Sequence, residues 1–203
     1  VDVSPGTLRP GGRTARVREA VLEATQDALG EHGFHGLNMD QIADRAGVGK
    51  TTVYRRWGGP IGLITDLMTD LADRSVAHAD TGDLEADLLE NATSVLDALT
   101  DPRLGATLQA MIAAATCDNA AATALHQFYA RRIGEWARRI DLAVHRGELP
   151  AGTDSADVIR AISAPLYYRT VVSREPVDAR TAARAVAVAL AAARAGAFAD
   201  NRG

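Results

Sequence analysis

The stretch Gly47 to Gly59, GVGKTTVYRRWGG, reads in two incompatible ways. Gly49-Lys50-Thr51 ends like a phosphate-cradling loop, in which backbone N–H groups hold phosphates and the hydroxyl holds Mg²⁺. Lys50 to Trp57 reads instead as a short basic, aromatic helix that Gly58 and Gly59 break. The phosphate loop needs a glycine five residues ahead of Gly49, and Asp44 stands there. It also needs a buried strand leading into it. Met39, Ile42, Ala43 and Ala46 recur instead at helical spacing, and no later strand offers a metal-binding Asp. A nucleotide-binding switch built on Gly49-Lys50-Thr51 is therefore the weaker alternative.

Outward from the stretch, the neighbours assemble a three-helix unit. Val17, Ala20, Val21, Ala24 and Ala28 predict a first helix over about 14–30, stopped by Gly30 and Gly33. Asn38 with Gln41 three residues on marks the start of a second helix that ends at Gly47. Helix, tight glycine-containing turn and basic helix form the helix-turn-helix arrangement, whose second helix enters the major groove. Val53 and Trp57, four apart, fix the third helix against the first two. The opposite face carries Lys50, Thr51, Thr52 and Arg55, with Tyr54 and Arg56 beside it. Arg and Lys donate to guanine edges or phosphates, and hydroxyls donate to phosphates. An arbitrary basic helix would be no more than a solvated face; the three-helix context decides for double-stranded DNA.

The remainder is helical too, with no convincing alternating strand and no internal repeat. Pro60 suits the first turn of a fourth helix, expected to about 79. Further helices are expected at about 83–99, 103–115, 119–147, 155–172 and 178–198, with Pro165 kinking the one before the last. The fold class is thus all-α with about nine helices. It divides into an arm (1–12), a helix-turn-helix domain (13–59) and a larger effector-binding and dimerisation domain (60–203).

Composition sets limits. The 203 residues are 47% apolar, enough for a packed core, and carry a net charge of −4. That charge argues against a protein that coats nucleic acid indiscriminately. An average hides the local patch, however: four cations and no acid lie between Arg45 and Arg56. No run of eighteen apolar residues exists and the N-terminus has no signal-peptide core, so no membrane partner is expected and the cytoplasm is the expected compartment. One cysteine, Cys117, excludes an intrachain disulfide framework and is expected to be a small buried side chain.

The run Arg13-Thr14-Ala15-Arg16 through Gly33-Phe34, Met39-Asp40-Gln41-Ile42-Ala43, Ala46-Gly47-Val48 and Thr52-Val53-Tyr54-Arg55-Arg56-Trp57 resembles the N-terminal domain of TetR-family transcriptional regulators. Arg146-Gly147-Glu148-Leu149, Pro165-Leu166-Tyr167-Tyr168-Arg169 and Glu175-Pro176-Val177-Asp178 resemble, more loosely, one subgroup's effector domain. The resemblance implies a homodimer on a near-palindromic operator, usually a repressor, released when a small molecule enters the C-terminal domain. By position it places Lys50, Thr51 and Arg55 nearest the bases, and Thr52, Tyr54 and Arg56 nearest phosphates. Trp57 takes the family's buried aromatic position. Where many members carry a phosphate-gripping lysine before helix four, this chain has Gly59-Pro60-Ile61. An architectural DNA binder without effector is the other alternative, disfavoured by so large an acidic remainder.

For the effector pocket the candidates are Met68, Met111, Phe128, Tyr129, Trp136, Tyr167 and Tyr168, apolar or polarizable side chains most of which are expected to be plain core. The resembled family pairs its last two helices with their copies. Ala182, Ala183, Val186, Ala187, Leu190 and Ala193 form a stripe of small residues suited to close helix packing, with Ala161, Ala164 and Leu166 on the neighbouring helix. The competing expectation is burial within one protomer. Asp66, Asp70 and Asp73 share a face expected to be solvated, as are Arg131, Arg132, Arg138 and Arg139. His32 and His35 are expected at the surface, and no catalytic residue, cofactor or metal is expected.

Overall fold

The structure is a computed structural model that describes residues 12–74 and 80–199. Among the described residues it holds nine α-helices: α1 Arg13–His32, α2 Met39–Ala46, α3 Lys50–Trp57, α4 Pro60–Asp73, α5 Leu84–Thr100, α6 Pro102–Cys117, α7 Asn119–His145, α8 Ser155–Tyr167 and α9 Ala179–Arg194. The all-α class is what the periodicity predicts. Helix α4 closes at Asp73, short of the expected 79, and residues 1–11 of the expected 1–12 arm lie outside the described residues.

Six helices start in the same way. The side chains of Asn38, Asp83, Asp101, Asp118, Asp154 and Asp178 each accept a backbone N–H from the first turn of α2, α5, α6, α7, α8 and α9. Each satisfies a donor that the helix cannot, at a worth of about 1 kcal/mol. Pro165 has no N–H and interrupts the ladder of α8, which passes into a π-helical turn over Tyr168–Ser173. Helix α9 closes at Arg194, short of the expected 198. The chain then turns and pairs Ala199 with Thr153 in an isolated bridge.

Two hydrophobic clusters hold the helices. The smaller joins Val21, Ala24, Ala28, Met39, Ile42, Ala43, Val53 and Trp57, and Leu63 of α4 completes it. The larger is built from α4 to α9, yet Leu22 and Leu29 of α1 reach into it. Helices α1 and α4 therefore serve both cores. The acidic face of α4, expected to be solvated, is part of that joint. Arg18 of α1 forms ion pairs of 2.9 Å with Asp66 and 2.7 Å with Asp70. Trp57 donates its indole N–H to the same Asp66 at 2.8 Å, and Asp73 pairs with Arg131 of α7 at 2.7 Å.

Other expectations need correction. Cys117 is exposed, at the last residue of α6, where the helix ends in solvent. Arg131 and Arg138 are exposed, but Arg132 is half-buried and Arg139 is only 4% exposed, with Asp87 of α5 as its partner. The small-residue stripe of α9 faces inward in part. Val186 and Leu190, each 1% exposed, and Leu166 are covered by the protomer's own core together with Ala182 and Ala193, whereas Ala183 and Ala187 are exposed. An alanine-rich helix has small residues all round, so its period does not say which side meets which neighbour.

Candidate DNA interface and inner cavity

Helix α3 is presented by local rules. Gly47 caps α2 in the left-handed conformation, φ 64° and ψ 32°, which glycine adopts without steric cost. Its N–H and that of Val48 return to the carbonyls of Asp44 and Ala43, making the turn rigid. Val53 and Trp57 are buried below, and Lys50, Thr51, Tyr54, Arg55 and Arg56 are exposed above, with Thr52 half-buried.

The exposed groups differ in how free they are. Lys50 is paired at 2.9 Å with Asp40 of α2. That hydrogen bond holds the Lys50 ammonium above its usual pKa and the Asp40 carboxyl below its own. Partial desolvation and the same Asp40 push the Tyr54 phenol upward, so it stands as an O–H donor. Arg45 is paired with Glu31 at 2.6 Å. Arg56 turns back on the domain: its guanidinium lies 4.9 Å from the Trp57 ring centre and donates to the Thr14 carbonyl at 3.4 Å. Asp40 and Asp66, which place Lys50 and Trp57, are site residues that the sequence does not mark as such. The i+10 and i+9 spacings that link them carry no sequence signature.

A second feature lies in the larger core. A cavity of about 950 Å³ opens between α5, α6, α7 and α8. Of the aromatic and methionine candidates, Phe128, Tyr129, Trp136 and Tyr167 line it together. Tyr167 stands edge-on to Tyr129, with ring centres 5.5 Å apart. Met68 and Met111 are fully buried in packed core and do not reach the cavity, and Tyr168, 58% exposed, points away from it. Residues outside the pocket candidates add the remaining walls, among them Leu104, Leu108, Asn91 and Arg132, the last expected on a solvated face. No described helix is long and apolar enough to cross a membrane. Among the described residues, no three His, Cys, Asp or Glu side chains group as metal ligands would.

Residues 21–60 match the model of bacterial regulatory proteins of the tetR family. Residues 78–189, more than half of the chain, match that of the tetracyclin repressor-like C-terminal domain. The chain belongs to the TetR family. Among the relatives of this TetR-family regulator is YdeS of Bacillus subtilis, an HTH-type transcriptional regulator, 29% identical over 82% of this chain and 84% of its own. AqdR of Rhodococcus erythropolis, also an HTH-type transcriptional regulator, is 29% identical over 72% of this chain and 70% of its own. The crystal structure of the TetR-family regulator SCO0332 superposes with a TM-score of 0.69 at 29% identity, covering 87% of this chain and 97% of that one. The protein is a DNA-binding transcriptional regulator and not an enzyme.

Proposed function

We propose that this regulator is a homodimeric repressor that reads a near-palindromic operator through α3 and leaves it when a small molecule occupies the cavity between α5 and α8. The observation that carries the reading is the two-sidedness of α3. Its apolar face is anchored by buried Val53 and Trp57, while Lys50, Thr51, Tyr54 and Arg55 stand exposed on the other. A rigid helix with donors on its open face is what base readout requires. The Lys50–Asp40 pair implies an exchange of partners on binding, from carboxylate to guanine or phosphate, with both groups already in water and little desolvation to overcome.

Selection of bound duplexes from a random pool gives the operator. On it, Lys50→Ala or Arg55→Ala is expected to cost about 1–3 kcal/mol and to relax preference at one position. Thr52→Ala and Tyr54→Phe are expected to weaken all sequences alike, since phosphate contacts position without specifying. Operator affinity unchanged in both Lys50→Ala and Arg55→Ala would mean that this face does not read DNA.

TetR-family regulators dimerise, and two modules must sit roughly 34–36 Å apart, or a multiple, to reach successive major grooves. With Val186 and Leu190 committed to the protomer's core, the surface left for pairing is the outer side of α8 and α9. Pro165 of α8 and Tyr168 just after it are exposed, as are Ala183, Ala187 and Val188 of α9, the last 62% exposed. Val188→Arg is expected to yield a monomer with native helicity and no operator binding, because an unpartnered charge in an interface is strongly unfavourable. Val186→Arg, by contrast, is expected to unfold the C-terminal half. Sedimentation and circular dichroism on the two variants distinguish these outcomes; a dimeric Val188→Arg overturns the assigned face.

A further inference from the structure

The cavity's wall chemistry restricts what enters it. Its interior surface is mostly hydrocarbon and aromatic, contributed by side chains such as Leu108, Leu125, Phe128 and Ile133. Two buried polar groups break that surface. The Asn91 side chain is 2% exposed and its carbonyl oxygen is unsatisfied. The Tyr129 hydroxyl is likewise buried, with the Tyr167 hydroxyl near it but no well-formed hydrogen bond. A buried polar atom without a partner costs about 1–3 kcal/mol, a cost a bound molecule removes by supplying the missing bond. Burial pushes the Tyr129 phenol far above its ordinary pKa, with Tyr167 adding to the shift, so it presents an O–H.

The charged groups on the walls are either paired or exposed. Arg132, the half-buried cation, donates to the Leu71 carbonyl at 3.0 Å and pairs with Glu135 at 3.4 Å. Arg160 is exposed and paired with Asp157 at 2.6 Å. Asp101 is exposed and accepts the Arg103 and Leu104 amides at the start of α6. Asp97 is exposed as well. No interior group is thus left to neutralise an ion, and an ion moved from water into apolar walls without a partner loses several kcal/mol.

We infer that the cavity takes an uncharged, largely apolar molecule bearing at least one hydroxyl, which donates to the Asn91 side-chain carbonyl and accepts from the Tyr129 hydroxyl. The inference rests on the reading of the cavity as the effector site and adds the effector's chemical class. A volume of about 950 Å³ lies at the upper end of those that enclose drug-sized molecules, so a polycyclic or long-chain body fits better than a metabolite of a few carbons.

Binding of the full-length protein to four fluorescent probes at neutral pH, read by anisotropy, tests it: 1-hydroxypyrene, pyrene, pyrene-1-carboxylate and 1-pyrenemethylammonium. Hydroxypyrene is expected to bind more tightly than pyrene, and at least about tenfold more tightly than either ion. Tyr129→Phe and Asn91→Leu are each expected to weaken hydroxypyrene by about two- to twelvefold, the worth of one neutral hydrogen bond, and to leave pyrene itself unaffected. The pyrene control separates a lost bond from a damaged fold. Equal or tighter binding of the carboxylate or ammonium, no binding of any probe, or an unchanged hydroxypyrene preference in both variants overturns the inference. Operator release is scored separately. Hydroxypyrene that binds with the expected preference yet leaves the operator complex intact sinks the effector reading while the ligand class stands.

Discussion

Gly62→Ala is expected to abolish specific operator binding, lowering affinity by at least about a hundredfold, and to destabilise the protein although alanine is the better helix former. Gly62 lies in the first turn of α4, directly beneath the end of α3. A Cβ at that position would stand 1.9 Å from the Trp57 carbonyl oxygen and 2.9 Å from its carbonyl carbon, where real Cβ contacts under 3.0 Å essentially never occur. The obstacle is backbone and cannot rotate aside, so α4 must retreat by more than an ångström. Alanine gains about 1 kcal/mol of helix propensity over glycine. Overpacking costs about 1–3 kcal/mol where flexible side chains absorb it, and more where they cannot. The clash therefore wins. Retreat of α4 also pulls Asp66 from the Trp57 indole and Arg18, the bonds that fix α3 to the rest of the molecule. The spacing of paired groove helices depends on that joint. A gel-shift titration with thermal unfolding followed by circular dichroism checks both halves, and unchanged affinity with a raised melting temperature would show that the joint is slack.

What could be read from the sequence divides along the range of the forces involved. The three-helix unit is governed by contacts a few residues apart: the Asn38 cap, the left-handed Gly47, the Val53 and Trp57 pair. Each has a residue signature, so the helix ends of α2 and α3 and the exposed face of α3 are legible. Gly62 is not legible in this way, because nothing near it in sequence announces its close approach to the Trp57 backbone. In the C-terminal half, periodicity shows that one side of a helix is covered without saying by what. Val186 and Val188 are both valines on an alanine-rich helix, yet one is 1% and the other 62% exposed. The cavity is a property of four helices, and its lining mixes Tyr129 and Trp136 of α7 with Asn91 of α5 and Leu104 of α6. Met68 and Met111 have the chemistry of pocket residues but sit where packing is complete.

Arg139 is the clearest case of a long-range partner, and it gives the second large effect. Asp87→Ala is expected to destabilise the fold by about 3–5 kcal/mol, the usual consequence of removing one member of a buried ion pair. Asp87 is fully buried on α5; it accepts the Arg139 Nε–H, the Thr81 hydroxyl at 2.7 Å and the Thr81 amide at 3.2 Å. Both Arg139 terminal nitrogens are buried without a partner, so Asp87 supplies the close neutralisation of that charge, with Asp80 farther off at 3.6 Å. Removing the carboxylate strands the cation. Asp87→Leu combined with Arg139→Leu is expected to recover most of the loss, since apolar side chains of similar bulk need no neutralisation. The same pair sets an acid limit. Burial works to raise the Asp87 pKa, but the bonds from Arg139 and Thr81 outweigh it and hold the carboxyl below the ordinary range. A carboxyl depressed in the folded state contributes its stability above the unfolded pKa, and that contribution falls away as pH drops through the folded value. Urea midpoints measured from neutral pH down to below about 4, the unfolded carboxyl's pKa, are therefore expected to decline steeply in the wild type and less in the double leucine variant. Parallel declines would place the acid sensitivity elsewhere, and a double variant no more stable than Asp87→Ala would show that the pair orders the α5–α7 contact in a way that apolar packing does not replace.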